Sequence, residues 1–270
     1  MVERAPDTYT HGHHESVLRS HRWRTVDNSA AYLLNRFVPG ADVLDVGCGP
    51  GTITIDIAAR VAPGKVVGID AADDAIVAAQ AAADRAGVSN LELKADDVYA
   101  LDLPNASFDV VHAHQVLQHL TEPIAALREM RRVCRPGGVV AARDAVYRAM
   151  SWFPADPLLD AWLSLYCAVA ESNGGDPDAG SRLLAWAHAA DFTDVRSSAS
   201  AWCYATADER SWWGNLWADR VTSSAFGEQA LHRGLATAGE LDEMSAAWRR
   251  WSEHDDAWFA VLHGEIVATA

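Results

Sequence analysis

The sequence predicts an α/β fold, a mostly parallel sheet of seven strands whose last strand is antiparallel, with an N-terminal helical cap and a helical insertion before that strand. Three observations carry this. Short apolar runs end in an acid at Asp45, Asp70 and Asp96, each followed by a helical or loop segment, which is the alternation that builds parallel sheets. The first run leads straight into the glycine-rich turn Gly47-Cys48-Gly49-Pro50-Gly51. Finally, ten of the eleven tryptophans lie after residue 150, which marks the second half as a departure from the plain alternation.

In chain order, residues 9–24 contain His11, His13, His14 and His21 and read as the helical cap. Val43-Leu44-Asp45-Val46 is a buried strand, and the glycine turn after it lets the backbone bend sharply and approach a ligand. A helix spans 52–61 and stops at Pro63-Gly64. Residues 65–70 form the second strand, and 73–86 an Ala-rich helix with Gly87 as its left-handed stop. Residues 91–96 and 108–114 are strands three and four, separated by a loop at Leu103-Pro104. The helix 123–134 breaks at Pro136-Gly137-Gly138, where Val139 starts strand five. A helix over 157–172 ends at Asn173-Gly174-Gly175, and a helix over 182–190 precedes strand six, 193–205, whose alternation suits a sheet edge. Residues 259–267 form the antiparallel last strand. The whole is a single domain, 1–270, with a cap (1–36), a cofactor-binding core (37–147), a helical excursion (148–180), the remaining core (181–205 and 258–268) and a helical lid (206–257). In that lid, Trp213 and Trp217 stand at i, i+4, and Leu241, Met244, Trp248 and Trp251 share one helix face.

The glycine spacing separates two ligand classes. A dinucleotide fingerprint runs G-x-G-x-x-G, but Thr52 stands where its third glycine would fall, and a pyrophosphate would have to settle beside Asp45. A ligand carrying an ammonium and a sulfonium is instead favoured by that charge; S-adenosylmethionine is such a ligand. The interval from Gly51 to Asp70 is close to the roughly 20 residues at which such folds place an acid on ribose hydroxyls.

On D-V-G-C-G-P-G at 45–51, G-I-D at 68–70, A-D-D at 95–97, F-D-V-V at 108–111 and R-P-G-G at 135–138, the chain resembles the class I S-adenosylmethionine-dependent methyltransferases. Within them it is similar to the ubiquinone/menaquinone-biosynthesis type and its small-molecule relatives in bacteria and fungi. It departs from the usual G-D-A at Ala95-Asp96-Asp97 and from L-P-F at Leu103-Pro104-Asn105. The resemblance implies a Rossmann-like fold, S-adenosyl-L-methionine as cofactor and a small-molecule methyl acceptor as partner. It places Asp45, Gly47, Gly49 and Gly51 around the methionine part, with Asp45 acting through water on the amino group. Asp70, with Ala71 beside it, takes the ribose, because two vicinal hydroxyls match one carboxylate. Asp96 accepts from the adenine amine, the backbone of Asp97 and Val98 lies beside the ring, and His114 and Gln115 pass under the methionine chain. The bland alternative for each acid is a helix cap or a solvated loop end.

His14 and His119 are the candidate catalytic residues, since a histidine near the methyl group takes a proton close to neutral pH. His13, His21, Gln118, Asp144 and Tyr147 lie near enough in sequence to share that region. Methyl transfer is an in-line displacement, however, so positioning and desolvation supply most of the acceleration without a base. No metal is expected: the N-terminal histidines lack an i, i+4 pair with a third ligand, and Cys48, Cys134, Cys167 and Cys203 are scattered as free thiols. A net charge of −15 argues against nucleic acid, whose phosphates need clustered Lys and Arg. There is no apolar run of membrane-spanning length and no signal-peptide core, so a cytoplasmic enzyme is expected, with a homodimer left open. The tryptophans either pack the insertion onto the sheet or roof a pocket for a flat or apolar acceptor. O-, N- or S-methylation of a natural product leads, C-methylation of a quinone precursor comes second, and a non-catalytic cofactor-binding protein is the alternative of another class.

Overall fold

In the computed structural model, which describes residues 7–10, 12 and 15–270, the chain enters through α1 (Glu15–Arg22) and α2 (Val26–Ser29) and then builds one mixed sheet. Its parallel half consists of β1 (Val43–Val46), β2 (Val66–Asp70), β3 (Leu91–Ala95), β4 (Phe108–His114) and β5 (Cys134–Ala145). The spatial order is β3-β2-β1-β4-β5. Connections therefore reverse direction between β1 and β4, and the crevice at their carboxyl ends is where open α/β sheets bind ligands. All four residues of β1 are buried, as a strand covered on both faces requires.

The crossover helices follow local chemistry. α3 (Thr52–Val61) starts at left-handed Gly51. α4 (Asp73–Ala86) ends at Gly87, whose N–H returns to the carbonyls of Ala83 and Asp84, as expected of a glycine stop. α5 (Pro123–Val133) carries its proline in the first turn, where the missing N–H costs nothing. Strand β5 begins at Cys134 rather than Val139: after the Phe108–Cys134 pair the ladder is interrupted and resumes at Val110–Val139. Pro136, which has no N–H to give, and Gly137 at φ 81° form a bulge inside the strand instead of a loop before it.

Beyond β5 the sheet turns antiparallel. An eighth strand, β6 (Ser151–Phe153), was not expected; it pairs with residues 258–260 of β8 (Trp258–Thr269), on the edge that β5 occupies from Ala145–His263 onward. The sheet is thus seven strands wide, with one position shared by two strands. The other edge of β8 is covered along its length by β7 (Val195–Tyr204), an edge strand as its alternation predicts. α6 (Pro157–Ser172) and α7 (Leu183–Ala189) precede β7, and α8 (Ala207–Ser223), α9 (Ala225–His232) and α10 (Ala238–Glu253) fill the interval before β8.

Three apolar cores result. One lies under α5 and α7, a second under α2 and α3, and a third joins α6, α8 and α10 to β8. In the third, Trp162 meets Trp217 and Trp248 edge-on at 4.5 and 4.8 Å, and all three indoles are buried. Most of the tryptophans are therefore packing, the plainer of the two readings of their sequence pattern. Among the described residues, no helix is long and apolar enough to cross a membrane, and no three metal-ligating side chains converge.

Candidate active site

The glycine turn after β1 is held by close packing. A Cβ at Gly47 would stand 2.4 Å from Val116 Cγ2 and one at Gly51 3.0 Å from Ala79 Cβ, and both residues are left-handed, at φ 67° and 80°. Neither position admits a larger residue without strain. A Cβ at Gly49 would meet only His21 Nδ1, at 3.7 Å, so the turn forms an open cradle facing the N-terminal segment. Asp70 latches it: Oδ2 accepts the Gly49 N–H at 2.9 Å and Oδ1 the Ala72 N–H at 3.1 Å. Ala71 lies exposed between them. A carboxylate has about four acceptor sites, so two remain for a ligand.

Asp45 does not face the turn. Its carboxylate is 3 % exposed and accepts from His112 Nδ1 at 2.7 Å and from the Thr54 hydroxyl at 2.6 Å. His112 is its register partner on β4, and side chains of paired residues share a face. The carboxylate therefore ties β1 to β4 and α3 rather than reaching a ligand's amino group. Asp96 is similarly engaged, by the Lys94 ammonium at 2.9 Å and by the amides of Asp97 and Asp102 at 3.0 and 3.2 Å. An adenine amine would have to share that carboxylate. Asp97 is exposed and accepts from the Tyr99 N–H at 3.0 Å, which is the loop-end role. Half-buried Val98 packs toward the core beneath α5.

The end of β4 turns into a strained corner. Gln115 has φ 54°, a conformation in which non-glycine residues persist only when the surroundings hold them. Its N–H donates to the Arg143 carbonyl at 2.7 Å, its amide oxygen accepts from Arg24 Nη2 at 2.5 Å, and its amide nitrogen donates to His263 Nε2 at 2.9 Å. His114 is buried and stacks on His263 with ring centres 6.3 Å apart. Burial first, then the Arg24 and Arg143 charges, hold its pKa well below the usual histidine range.

Of the two candidate catalytic residues, the structure describes His119. His14, with His11 and His13, lies outside the described residues. His119 sits edge-on to Tyr9 at 4.8 Å and contacts the Gln118 amide at 3.0 Å. Burial pushes its pKa down to about 3, which makes it a weak proton acceptor at neutral pH. Tyr9 in turn meets His21 Nε2 at 3.2 Å. The N-terminal segment is strapped across the strand ends: Asp7 accepts from Tyr99 Oη at 2.8 Å and from the Thr121 hydroxyl at 2.7 Å, and the His21 carbonyl accepts from Thr52 Oγ1 at 2.9 Å. Gln118 bridges His119 to β5: its backbone N–H donates to buried Asp144 Oδ1 at 3.1 Å, and its side-chain oxygen accepts the Ala145 N–H at 3.1 Å.

Beyond Gln115 lies a narrow chamber of about 30 Å³, walled by Trp202, Tyr204, Trp212, Trp213, Trp217 and Tyr147, with Arg24 and Arg220 also on its surface. The arginines escaped sequence reasoning because a lone Arg in a helix or loop reads as solvated. For Arg220 the signal was present, since it follows Trp217 at i+3 on the apolar stripe of α8.

A glycine cradle latched by the acid of the next strand, at the switch point of an open α/β sheet, is the arrangement with which such sheets bind nucleoside-bearing ligands. The chain belongs to the methyltransferase-domain family, which matches residues 38–215. Over 269 residues it is 33 % identical to an uncharacterised methyltransferase of Schizosaccharomyces pombe, covering 96 % of this chain and 95 % of that one. It is 30 % identical over 284 residues to the probable methyltransferase ltbC of Aspergillus luteorubrus, covering 97 % of each. The YcgJ protein of Bacillus subtilis shares the fold at TM-score 0.59 and 18 % identity, over 90 % of this chain and 98 % of that one. The enzyme is an S-adenosylmethionine-dependent methyltransferase, and the cradle at Gly47, Gly49 and Gly51 with the Asp70 latch suits that cofactor. When bound, the cofactor supplies an electrophilic methyl group on a sulfonium.

Proposed function

We propose that the enzyme methylates a small, flat metabolite on oxygen, nitrogen or sulfur, as a cytoplasmic step of secondary metabolism. The observation that carries this reading is the aromatic wall just past the Gln115 corner, whose chamber of about 30 Å³ must widen to admit a ring. Flat rings bind well between indole and phenol faces, and displacement there depends on alignment and exclusion of water. In this reading Asp70 holds the ribose, Gly47, Gly49 and Gly51 cradle the methionine part, His114 and Gln115 floor it, and the 96–98 loop borders the adenine. The half-buried, weakly basic His119 shapes the wall beside Tyr9, and the acceptor arrives already nucleophilic or loses its proton to solvent.

Support for a natural-product acceptor comes from a 38 % identity over 109 residues to nocamycin O-methyltransferase of Saccharothrix syringae, covering 40 % of this chain and 39 % of that one. Methylation of a quinone-precursor carbon is the second reading. It is favoured by 34 % identity over 102 residues to demethylmenaquinone methyltransferase of Lactococcus lactis, covering 37 % of this chain and 40 % of that one. Incubation with methyl-labelled cofactor and a panel of phenols, thiols, amines and quinols tests both. Label on a heteroatom supports the first reading and label on a quinol carbon the second. Intact binding of S-adenosylhomocysteine with no transfer to any member of the panel would count against a small-molecule acceptor of these classes.

A further inference from the structure

Three strands leave an edge of the sheet open, and two of them are guarded. β3 is five residues long and carries Glu92 and Lys94, and β6 has only three residues; charge and shortness are how edge strands avoid pairing with another chain. β7 has neither guard. It runs ten residues in unbroken register with β8, contains no proline, and has Arg196 as its one charged residue. The Thr269 N–H donates to the Asp194 carbonyl at 2.9 Å, which sets the phase of the antiparallel ladder. The even-numbered residues of β7 therefore exchange bonds with β8, and Val195, Ser197, Ala199, Ala201 and Cys203 turn their N–H and C=O groups to the open side. Among the described residues those five amides and five carbonyls have no hydrogen-bond partner. Four of the five side chains, from Ser197 to Cys203, are small and exposed, so nothing bulky stands beside this backbone.

We propose that β7 is a dimer interface at which a second copy of this chain adds its own β7, antiparallel across a two-fold axis near Ala199 to Ala201, so that the two sheets become continuous. Main-chain bonds supply the affinity of such strand addition. Charge selects both the partner and the sense. Arg196 is exposed at the start of the strand and forms no ion pair among the described residues, and the same holds for Asp208, exposed just past its end in the first turn of α8. Antiparallel pairing of the strand with itself brings the Arg196 end of each copy toward the Asp208 end of the other, twice by symmetry. Parallel pairing would set like charges side by side. A net charge of −15 makes two copies repel over most of their surface, whereas residues 197–204 carry no charge and nothing repels at the axis.

Sedimentation velocity of the full chain at about 100 µM tests this, and the parent should run at twice the monomer mass. Ala199→Pro deletes an outward N–H that β8 does not use, so the protomer should keep its fold while the dimer weakens about tenfold or more. Ala199→Lys, which sets two ammonium groups together near the axis, should do the same. Calorimetry should place S-adenosylhomocysteine affinity of both variants within about twofold of the parent, since the edge is remote from the glycine cradle. Arg196→Asp should weaken the dimer, and adding Asp208→Arg in the same chain should restore it. In hydrogen exchange the amides of Ser197, Ala199, Ala201 and Cys203 should be slow in the parent dimer and fast in the Ala199→Lys monomer, while those of Ser198 and Ser200, bonded to β8, stay slow in both. A parent that remains monomeric at that concentration overturns the proposal, as does a dimer that both Ala199 variants leave intact. A charge swap that fails to restore the dimer overturns the antiparallel sense. Should Ala199→Pro fail to fold, Ala199→Lys and the exchange pattern of the parent carry the same comparison.

Discussion

Asp70 serves the fold directly and, in the proposed reading, the ligand as well. It holds the Gly49 and Ala72 amides, so its removal loosens the turn as well as deleting the acceptors proposed for the ribose. Asp70→Ala is expected to weaken S-adenosylmethionine binding by about 1.5–3 kcal/mol, the range for hydrogen bonds to a charged group; unchanged affinity in calorimetry would remove the ribose assignment. Asp45 and Asp96 look equivalent to Asp70 in the sequence, each an acid at a strand end. What separates them is the neighbour across the sheet, His112, for Asp45, and the Lys94 ammonium for Asp96; linear spacing does not carry the first, whereas Lys94 stands two residues before Asp96 on the same face of the extended chain. Asp144 is a second buried acid with its own consequence. Burial pushes its pKa up to about 7, against roughly 3.9 in an unfolded chain. Between those values the folded protein keeps a proton that the unfolded chain has lost, so this group's contribution to stability falls as pH rises from about 4 to about 7 and levels off above. Asp144→Asn, which still accepts from the Gln118 amide, should flatten that part of the stability profile. Urea midpoints at pH 5 and pH 8 that differ equally in parent and variant would show that Asp144 is not the source.

At the scale of elements, the regular half of the fold was legible because local signals agree with tertiary need. Helices 52–61, 73–86 and 157–172 begin and end where glycine, proline and capping chemistry place them. The short strand β6 and helix α9 were not, because a three-residue strand has no period of its own and α9 is defined by what α6 and α8 leave uncovered. The same distinction decides how the aromatic wall is to be tested. Trp217 is 1 % exposed and clamped by Trp162 and Trp248, so Trp217→Ala should cost about 3–5 kcal/mol of stability and says little about the acceptor. Trp212 is half-buried on the chamber wall. Its alanine variant should keep the fold and cofactor affinity while raising the acceptor KM or lowering kcat by 1–3 kcal/mol in kcat/KM. Wild-type kinetics with an authentic acceptor would take Trp212 off the pocket wall. The N-terminal strap makes a separate prediction. Asp7 fastens it to Tyr99 and Thr121, and Tyr9 rests on His119, so bound S-adenosylhomocysteine should slow hydrogen exchange in residues 7–24, and Asp7→Ala should reverse much of that slowing. Exchange that is indifferent to the ligand would leave the strap a purely structural cover.

For the molecule as a whole, β8 decides how the parts are coupled. Phe259 and Val261 lie in the core shared with α6, α8 and α10, Ile266 and Ala268 lie in the core under α5 and α7, and Val267 packs against the third core, under α2 and α3. One twelve-residue strand thus threads all three, and the insertion cannot come loose without unzipping β8 from β5 and β7. The strap adds a second tie from the other end of the chain, through the ion pair of Arg19 with Asp219 on α8 at 2.7 Å. The acceptor side and the cofactor side should therefore unfold together, although the proposed cofactor contacts all lie at the ends of the parallel strands β1 to β4. Calorimetry should show a single endotherm that S-adenosylhomocysteine moves as a unit. At a free concentration of about 100 Kd the ligand adds about 2.7 kcal/mol, and with an unfolding entropy of roughly 2.1 cal/mol/K per residue the transition of this chain should rise by about 5 °C. Two endotherms, of which only one responds to ligand, would mean that the insertion is an independent unit and that β8 does not transmit cofactor binding to the chamber.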